Sequence, residues 1–220
     1  VLVGDLSALL GAVPVPLGAW ERRAAFMVPG GRGSAEDAAR VEGVAGAEVR
    51  ANGLLVIEVA VPGDLVREVL CAPGDLGGGV RGPEWADHPR TWDNPGFVVR
   101  YAYVRAGAVG RWARDLGVER AGTGVGEGFP GHALDGAADR RVLRVLGEVF
   151  SRREKGEVGA AYLERLAGAY HDAFERASAL PRGDEAASVV HVARVGMARA
   201  VRRVLGEGMA ALGVTPPERI

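Results

Sequence analysis

Apolar residues recur at helical steps through most of the second half of the chain. Val98, Tyr101, Ala102, Val109, Trp112 and Leu116 follow one another mostly at multiples of three and four residues, which predicts an amphipathic helix with these as its apolar seam. Leu143, Leu146 and Phe150 mark a second helix, and Tyr162, Leu166, Tyr170, Phe174 and Ala177 a third. Val190, Met197, Val201, Val204, Gly208 and Leu212 mark a long fourth, which Gly213 and the Pro216-Pro217 pair should end. Four helices joined by loops of ordinary length predict a bundle. The first third has a different rhythm. Ser34 followed by Asp37 reads as a helix N-terminus, with the helix reaching about Val44. From Ala47 to Ala60 two β-rich runs flank Asn52-Gly53, which supplies the positive φ of a tight hairpin turn. Pro62-Gly63-Asp64 then opens a short helix, Leu65 to Leu70, with Asp64 as its cap.

Residues 72–92 hold five Gly, three Pro and no periodicity, and read as a linker. The expected fold class is therefore α+β: a small α/β domain with a hairpin over 1–72, a linker over 73–92, and an all-α bundle over 93–220. A second glycine-rich stretch, Gly117 to Gly131, alternates glycines at Gly122, Gly124, Gly126 and Gly128. No strand leads into it and no Gly-Lys-Ser/Thr follows, so it reads as a flexible loop rather than a phosphate cradle.

Composition narrows the class further. The chain has 220 residues, 48% of them hydrophobic, and 27 basic against 28 acidic side chains, which excludes disorder. No apolar run approaches the ~18 residues of a membrane span. The first twenty residues carry Asp5, lack a basic start and are broken by Pro14 and Pro16, so no secretory signal is read there. The chain does not begin with Met, and a few residues are expected ahead of Val1. A single cysteine, Cys71, excludes a disulfide framework and fits a reducing, cytoplasmic setting.

The charge balance is a cancellation. Residues 1–92 hold 8 basic and 12 acidic residues (net −4), whereas residues 93–220 hold 19 and 16 (net +3). All the basic residues but Lys155 are arginine, the side chain suited to bidentate phosphate contacts and to stacking; a GC-rich coding bias produces the same preference.

Conventional catalytic sets are missing from the pattern. Cys71 ends a helix with no histidine within fifteen residues and reads as buried packing. His88, His132, His171 and His191 are scattered, with no pair on one helical face, so neither a metal nor a cofactor is expected. The carboxylates mostly alternate with arginines, as on a solvated helix face. The positive signal is a surface. Arg100, Tyr103, Arg111 and Arg114, with Gly107 among them, fall on the face of the first bundle helix opposite its seam. The last helix adds Arg199, Arg202 and Arg203, with His191 and Arg194 upstream, and no acidic residue lies between Ala186 and Gly206. Guanidinium groups interleaved with an aromatic ring can neutralise phosphates and stack on unpaired bases.

At Asp93-Asn-Pro-Gly-Phe97-Val-Val-Arg-Tyr101-Ala-Tyr-Val-Arg105 the sequence resembles the opening of the DALR anticodon-binding domain of arginyl-tRNA synthetases, whose first helix reads Asp-Asn-Pro-x-aromatic-Tyr-Val-Gln-Tyr-Ala-His-Ala-Arg. Val98, Arg100, Tyr103 and Val104 depart from it. Tyr162-Leu-Glu-Arg-Leu166-Ala167 resembles the family's Tyr-Leu-x-Asp-Leu-Ala helix, with Tyr170 and His171 where Phe-Asn is usual. The end, Gly208 to Leu212-Gly213 and Pro217-Glu218-Arg219-Ile220, resembles the terminal Gly-Leu-x-x-Leu-Gly-Ile-x-x-Pro-Glu-Arg-Met. Three matches in order cover residues 93–220. More loosely, Ala47 to Leu70 resembles the end of the synthetases' N-terminal additional domain.

In those enzymes a Rossmann-type catalytic domain, with His-x-Gly-His and Lys-Met-Ser-Lys-Ser signatures, joins the two accessory parts. A nucleotide-binding domain needs on the order of 100 residues, and here only the linker lies between them. Pro130-Gly131-His132 lacks the first histidine and Lys155 lacks its context. The resemblance therefore implies a non-catalytic relative that binds tRNA, arginine tRNA foremost, at the anticodon stem-loop. It implies tRNA contacts at Arg100, Tyr103 and Arg105 on the first helix, Arg199 and Arg202 on the last, and Glu218, Arg219 and Ile220 at the carboxyl end; Arg111 of the stripe and His171 complete the candidate set. Tyr101, Tyr162 and Asn94 are read as structural. The departures at Arg100, Tyr103 and His171 also allow a module that docks a protein, such as an enzyme that uses aminoacyl-tRNA. No membrane is expected as a partner.

Overall fold

The computed structural model describes residues 2–28, 33–72, 85–86, 88–118 and 128–220. Leu2, Val3, Leu6 and Leu10 fall on one side of a first helix, α1 (Leu2–Leu10), and are buried there. Strands β1 (Val15–Leu17) and β2 (Ala25–Val28), a one-turn helix α2 (Ala35–Ala39), and strands β3 (Val44–Val49) and β4 (Leu55–Val59) follow. The sheet is antiparallel throughout, in the order β1-β2-β4-β3. Trp20 anchors its core, edge-on to Phe26 at 5.3 Å, with the indole N–H donating to the Ala25 carbonyl at 3.1 Å. The hairpin turns at Asn52-Gly53, with Gly53 at φ 77° and Val49 opposite Leu55, as its sequence predicts.

Three local expectations change. The helix after Ser34 stops at Ala39, because Gly43 takes φ 89° and the valines beyond it pair as β3. Asp64 makes no side-chain cap: Pro62–Asp64 already form a 3-10 turn that runs into α3 (Leu65–Cys71). Cys71, expected inside, is exposed, since the buried side of α3 is carried by Leu65, Val66, Glu68 and Val69.

The bundle comprises α4 (Pro95–Asp115), α5 (Ala137–Lys155), α6 (Ala160–Arg176) and α7 (Val189–Ala211). Asn94 caps α4, its side-chain oxygen accepting from the Gly96 and Phe97 amides, with Pro95 at the first helical position. At α7 the Nδ1 of His191 accepts from the Ser188 amide at 3.2 Å, so this histidine is a cap rather than part of a binding stripe. The α4 seam is rotated from the expected one: Val99, Ala102, Ala106, Val109 and Ala113 are buried, while Trp112 and Leu116 are exposed by 48% and 55%. Tyr101 and Val98 contact α6 instead, and α6 ends at Arg176.

The N-terminal unit packs directly on the bundle, and one apolar core runs through both. Arg203 fastens them: its guanidinium donates to the carbonyls of Val69 (3.0 Å), Leu70 (2.6 Å) and Ala72 (2.7 Å), capping the end of α3. Arg144 donates to the Gly18 carbonyl at 2.9 Å, and Arg141 pairs with Glu21 at 2.6 Å. Most of the 73–92 linker and the 119–127 part of the second glycine-rich stretch lie outside the described residues. Among the described residues no helix is long and apolar enough to cross a membrane.

Candidate nucleic-acid interface

Helix α4 presents different chemistry to each neighbour. Towards α7, Gly107 and Gly110 leave a shallow floor, and Arg111 and Arg114 with Arg199 and Arg202 of α7 line a groove of about 380 Å³. A second depression of about 400 Å³ continues it past Tyr103, Gly206 and Pro216, sharing Arg199 and Arg202. Close approach explains the glycines. A Cβ on Gly107 would lie 3.0 Å from the Arg202 Nε, and one on Gly206 would lie 2.9 Å from the Tyr103 ring. The Arg202 guanidinium thus rests against α4 and over Tyr103, 4.8 Å from the ring centroid. Arg111, Arg114 and Arg202 are exposed and Arg199 half-buried. Among the described residues, no carboxylate lines the first depression; Glu207, at the far end of the second, is paired with Arg153 and Arg203. Four arginines lining a groove that has no carboxylate among its described lining residues suit a polyanion.

Towards α6 the surface is aromatic. Phe97 and Tyr101 stack at 5.4 Å, and Trp92 meets His171 edge-on at 4.9 Å. The Arg105 guanidinium lies between Tyr101 and Phe174, at 4.5 and 4.1 Å from their centroids. It donates to the Tyr101 hydroxyl (3.1 Å) and to His171 Nδ1 (3.2 Å) and pairs with Glu175 at 3.0 Å. His171 in turn donates from Nε2 to the Val98 carbonyl at 3.0 Å, which fixes its tautomer. Burial lowers the His171 pKa, and the neighbouring Arg105 charge adds to this while the Val98 carbonyl opposes it. The ring is therefore held neutral.

A third cluster, on α5 and α6, gathers three arginines around one carboxylate. Glu148 is buried and accepts from Arg144, from Arg152 at 3.0 Å and from Arg165 at 2.6 Å. Burial works to raise its pKa, and the three guanidinium groups together overcome this and hold it below the ordinary range.

The residues read from the sequence thus divide. Tyr103, Arg111, Arg199 and Arg202 come together in the groove. Arg100 does not join them: it donates to the Trp85 (3.2 Å) and Ala86 (3.4 Å) carbonyls, tying the approaching chain onto α4. Arg105, with only 11% of its side chain exposed, and His171 are committed to the α4–α6 contact and face each other rather than solvent. Arg194, which continues the α7 run, pairs with fully buried Asp139 at 3.0 Å, and Arg203 is the clamp described above. Glu218, Arg219 and Ile220 are exposed at the carboxyl end, beyond Pro216 at the margin of the groove. Helix period alone could not identify Gly110, Gly206 and Pro216 as lining residues, because they carry no charge. Trp92 had a signal, an aromatic residue directly ahead of Asp93-Asn94-Pro95, but its meaning depends on α6.

Residues 141–220 match the family described as DALR anticodon binding domain. An arginine–tRNA ligase of Clavibacter sepedonicus is 36% identical to this chain over 138 residues, covering 60% of the chain and 24% of that protein. The chain thus spans about a quarter of the length of the curated relative it matches. No solved structure matches the chain.

Proposed function

Taking residues 141–220 as a DALR anticodon-binding domain related to that of arginine–tRNA ligases, we propose that the chain binds tRNA, arginine tRNA foremost, at the anticodon stem-loop. The observation that carries this reading is the arginine groove between α4 and α7, with no carboxylate among the described residues that line it around Gly107. In it Tyr103, Arg111, Arg114, Arg199 and Arg202 take the phosphate backbone, and Glu218, Arg219 and Ile220 lie where the loop passes the carboxyl end. The reading divides the chain into an N-terminal unit over 1–72, a linker over 73–92 and the bundle over 93–220, in a cytoplasmic setting. It assigns no aminoacylation to this stretch, because the described residues form an antiparallel four-stranded sheet with short helices and a helical bundle, and no nucleotide-binding fold among them. The groove should bind by charge, so affinity should fall steeply with salt, as each neutralised phosphate releases its counterions. A filter-binding titration with arginine tRNA tests this: saturable binding at low salt that weakens as salt rises is the expected result. No saturable binding at low salt overturns it. Pyrophosphate exchange with arginine and ATP should remain at background, and turnover would overturn the non-catalytic assignment.

One observation favours a second reading, a module that docks a protein such as an enzyme using aminoacyl-tRNA. Trp112 and Leu116 continue the apolar stripe of α4 beyond the end of α6 and remain exposed, beside Arg111 and Arg114. Capture of a protein that survives nuclease treatment and is lost with Trp112→Ala supports this reading over the first.

A further inference from the structure

Trp92 is more exposed than any other large apolar side chain among the described residues, at 61%. It is nevertheless held in place. Its indole meets His171 at 4.9 Å and 87°, Tyr101 at 5.8 Å and 53°, and Phe97 at 6.2 Å and 71°. No described ring lies parallel to it, so the cluster sets the plane of the indole without stacking on it. Behind this ring, Tyr101 is braced by the Phe97 stack and by the Arg105 guanidinium that Phe174 supports. A side chain already ordered by three neighbours loses little conformational freedom when a ligand settles on it.

The charges around the indole cancel locally. Arg105 is paired with Glu175, and His171 spends both ring nitrogens on protein partners. Such a surface attracts phosphate weakly, in contrast to the α4–α7 groove, but it offers a rigid π face to a neutral flat ring. The bases of a duplex have both faces covered by their neighbours, so only an unpaired base can present one. We propose that Trp92 is the stacking platform for a single unpaired nucleobase of the bound RNA, while the arginine groove holds the backbone. This assignment rests on the tRNA-binding reading above. It separates the two components of binding by place: stacking at the α6 side of α4, charge at the α7 side.

The test uses the full chain and two probes, an RNA hairpin with an unpaired loop and a blunt RNA duplex with the same stem sequence. Trp92→Ala should weaken the hairpin by about tenfold to a hundredfold, the measured range for one base on one aromatic ring. It should leave the duplex unaffected, and the slope of log affinity against log salt unchanged, because no phosphate contact is lost. Trp92→Phe keeps a ring and should recover most of the affinity. The hairpin should also quench tryptophan fluorescence, and the quenching should vanish in Trp92→Phe although Trp20, Trp85 and Trp112 remain. Hairpin binding by Trp92→Ala as tight as that of the unaltered chain overturns the platform and leaves the tRNA reading standing. No saturable binding of either probe by the unaltered chain overturns both.

Discussion

The arginines around Glu148 and those around Gly107 are chemically alike and sit in opposite circumstances. Arg144, Arg152 and Arg165 converge on one buried carboxylate, which they hold ionised against burial. Arg111, Arg114, Arg199 and Arg202 converge on a groove with no carboxylate in its lining among the described residues. Removing a carboxylate from the first leaves cations facing one another; adding an anion to the second relieves the same repulsion. Clustering of arginine is therefore not a binding signal by itself. The signal is arginine lining an open groove with no carboxylate among its described lining residues, rather than arginine gathered on a buried carboxylate.

Stability and binding should separate along this line. Glu148→Ala should destabilise the fold by about 3 kcal/mol, the lower end for breaking a buried ion pair, because the three guanidinium groups are partly exposed. A melting temperature lower by roughly 6–12 °C checks it for a chain of this size. RNA affinity measured below the melting transition should hardly change. Arg111→Ala with Arg202→Ala should do the reverse. Loss of two charge-assisted contacts should weaken tRNA by about a hundredfold or more and flatten the salt slope by about 0.7 per arginine for an unpaired strand, with melting little altered. Gly107→Ala sharpens the contrast through opposite signs. Ala is favoured over Gly by up to ~1 kcal/mol in a helix interior, yet at buried Gly107 the added methyl group, 3.0 Å from Arg202, displaces it and should cost binding severalfold. Calorimetry and anisotropy on the same sample read both effects.

Two buried carboxylates make stability depend on pH with opposite signs. Glu148 has a depressed pKa in the folded state, so the unfolded chain binds more protons in acid. Its contribution is present above the ordinary carboxylate range and is lost as pH falls through the folded value. Glu68 is opposite in sign. Burial against α1 raises it to about 7, opposed by the Val3 amide that donates to both its oxygens at 3.1 and 3.2 Å. Its contribution is present below the ordinary range and is lost as pH rises through about 7. Glu148→Gln should remove the acid-side loss of stability and Glu68→Gln the neutral-side loss, each read from melting curves against pH.

The four bundle helices and the hairpin at Asn52-Gly53 were legible because they depend on residues within one or two turns of each other. The rotation of α4 was not. Trp112 and Leu116 carry the right period for a seam, and only the end of α6 at Arg176 leaves them exposed. α1 escaped notice for a related reason: its apolar residues read as an undirected run until α3 lies alongside.

The residue types of the candidate site, arginine with interleaved tyrosine on two helices, were determined by the sequence alone, as was the likeness to the DALR domain. What the tertiary structure decided is which arginines are spent. Arg105, Arg194 and Arg203 fall on the same helices as Arg111 and Arg202, yet the first three meet Glu175, Asp139 and the carbonyls ending α3, while Arg111 and Arg202 line the groove. Spacing along a helix specifies a direction, whereas the partner in that direction comes from a residue tens of positions away. The charge left over for a ligand is therefore a property of the packed molecule.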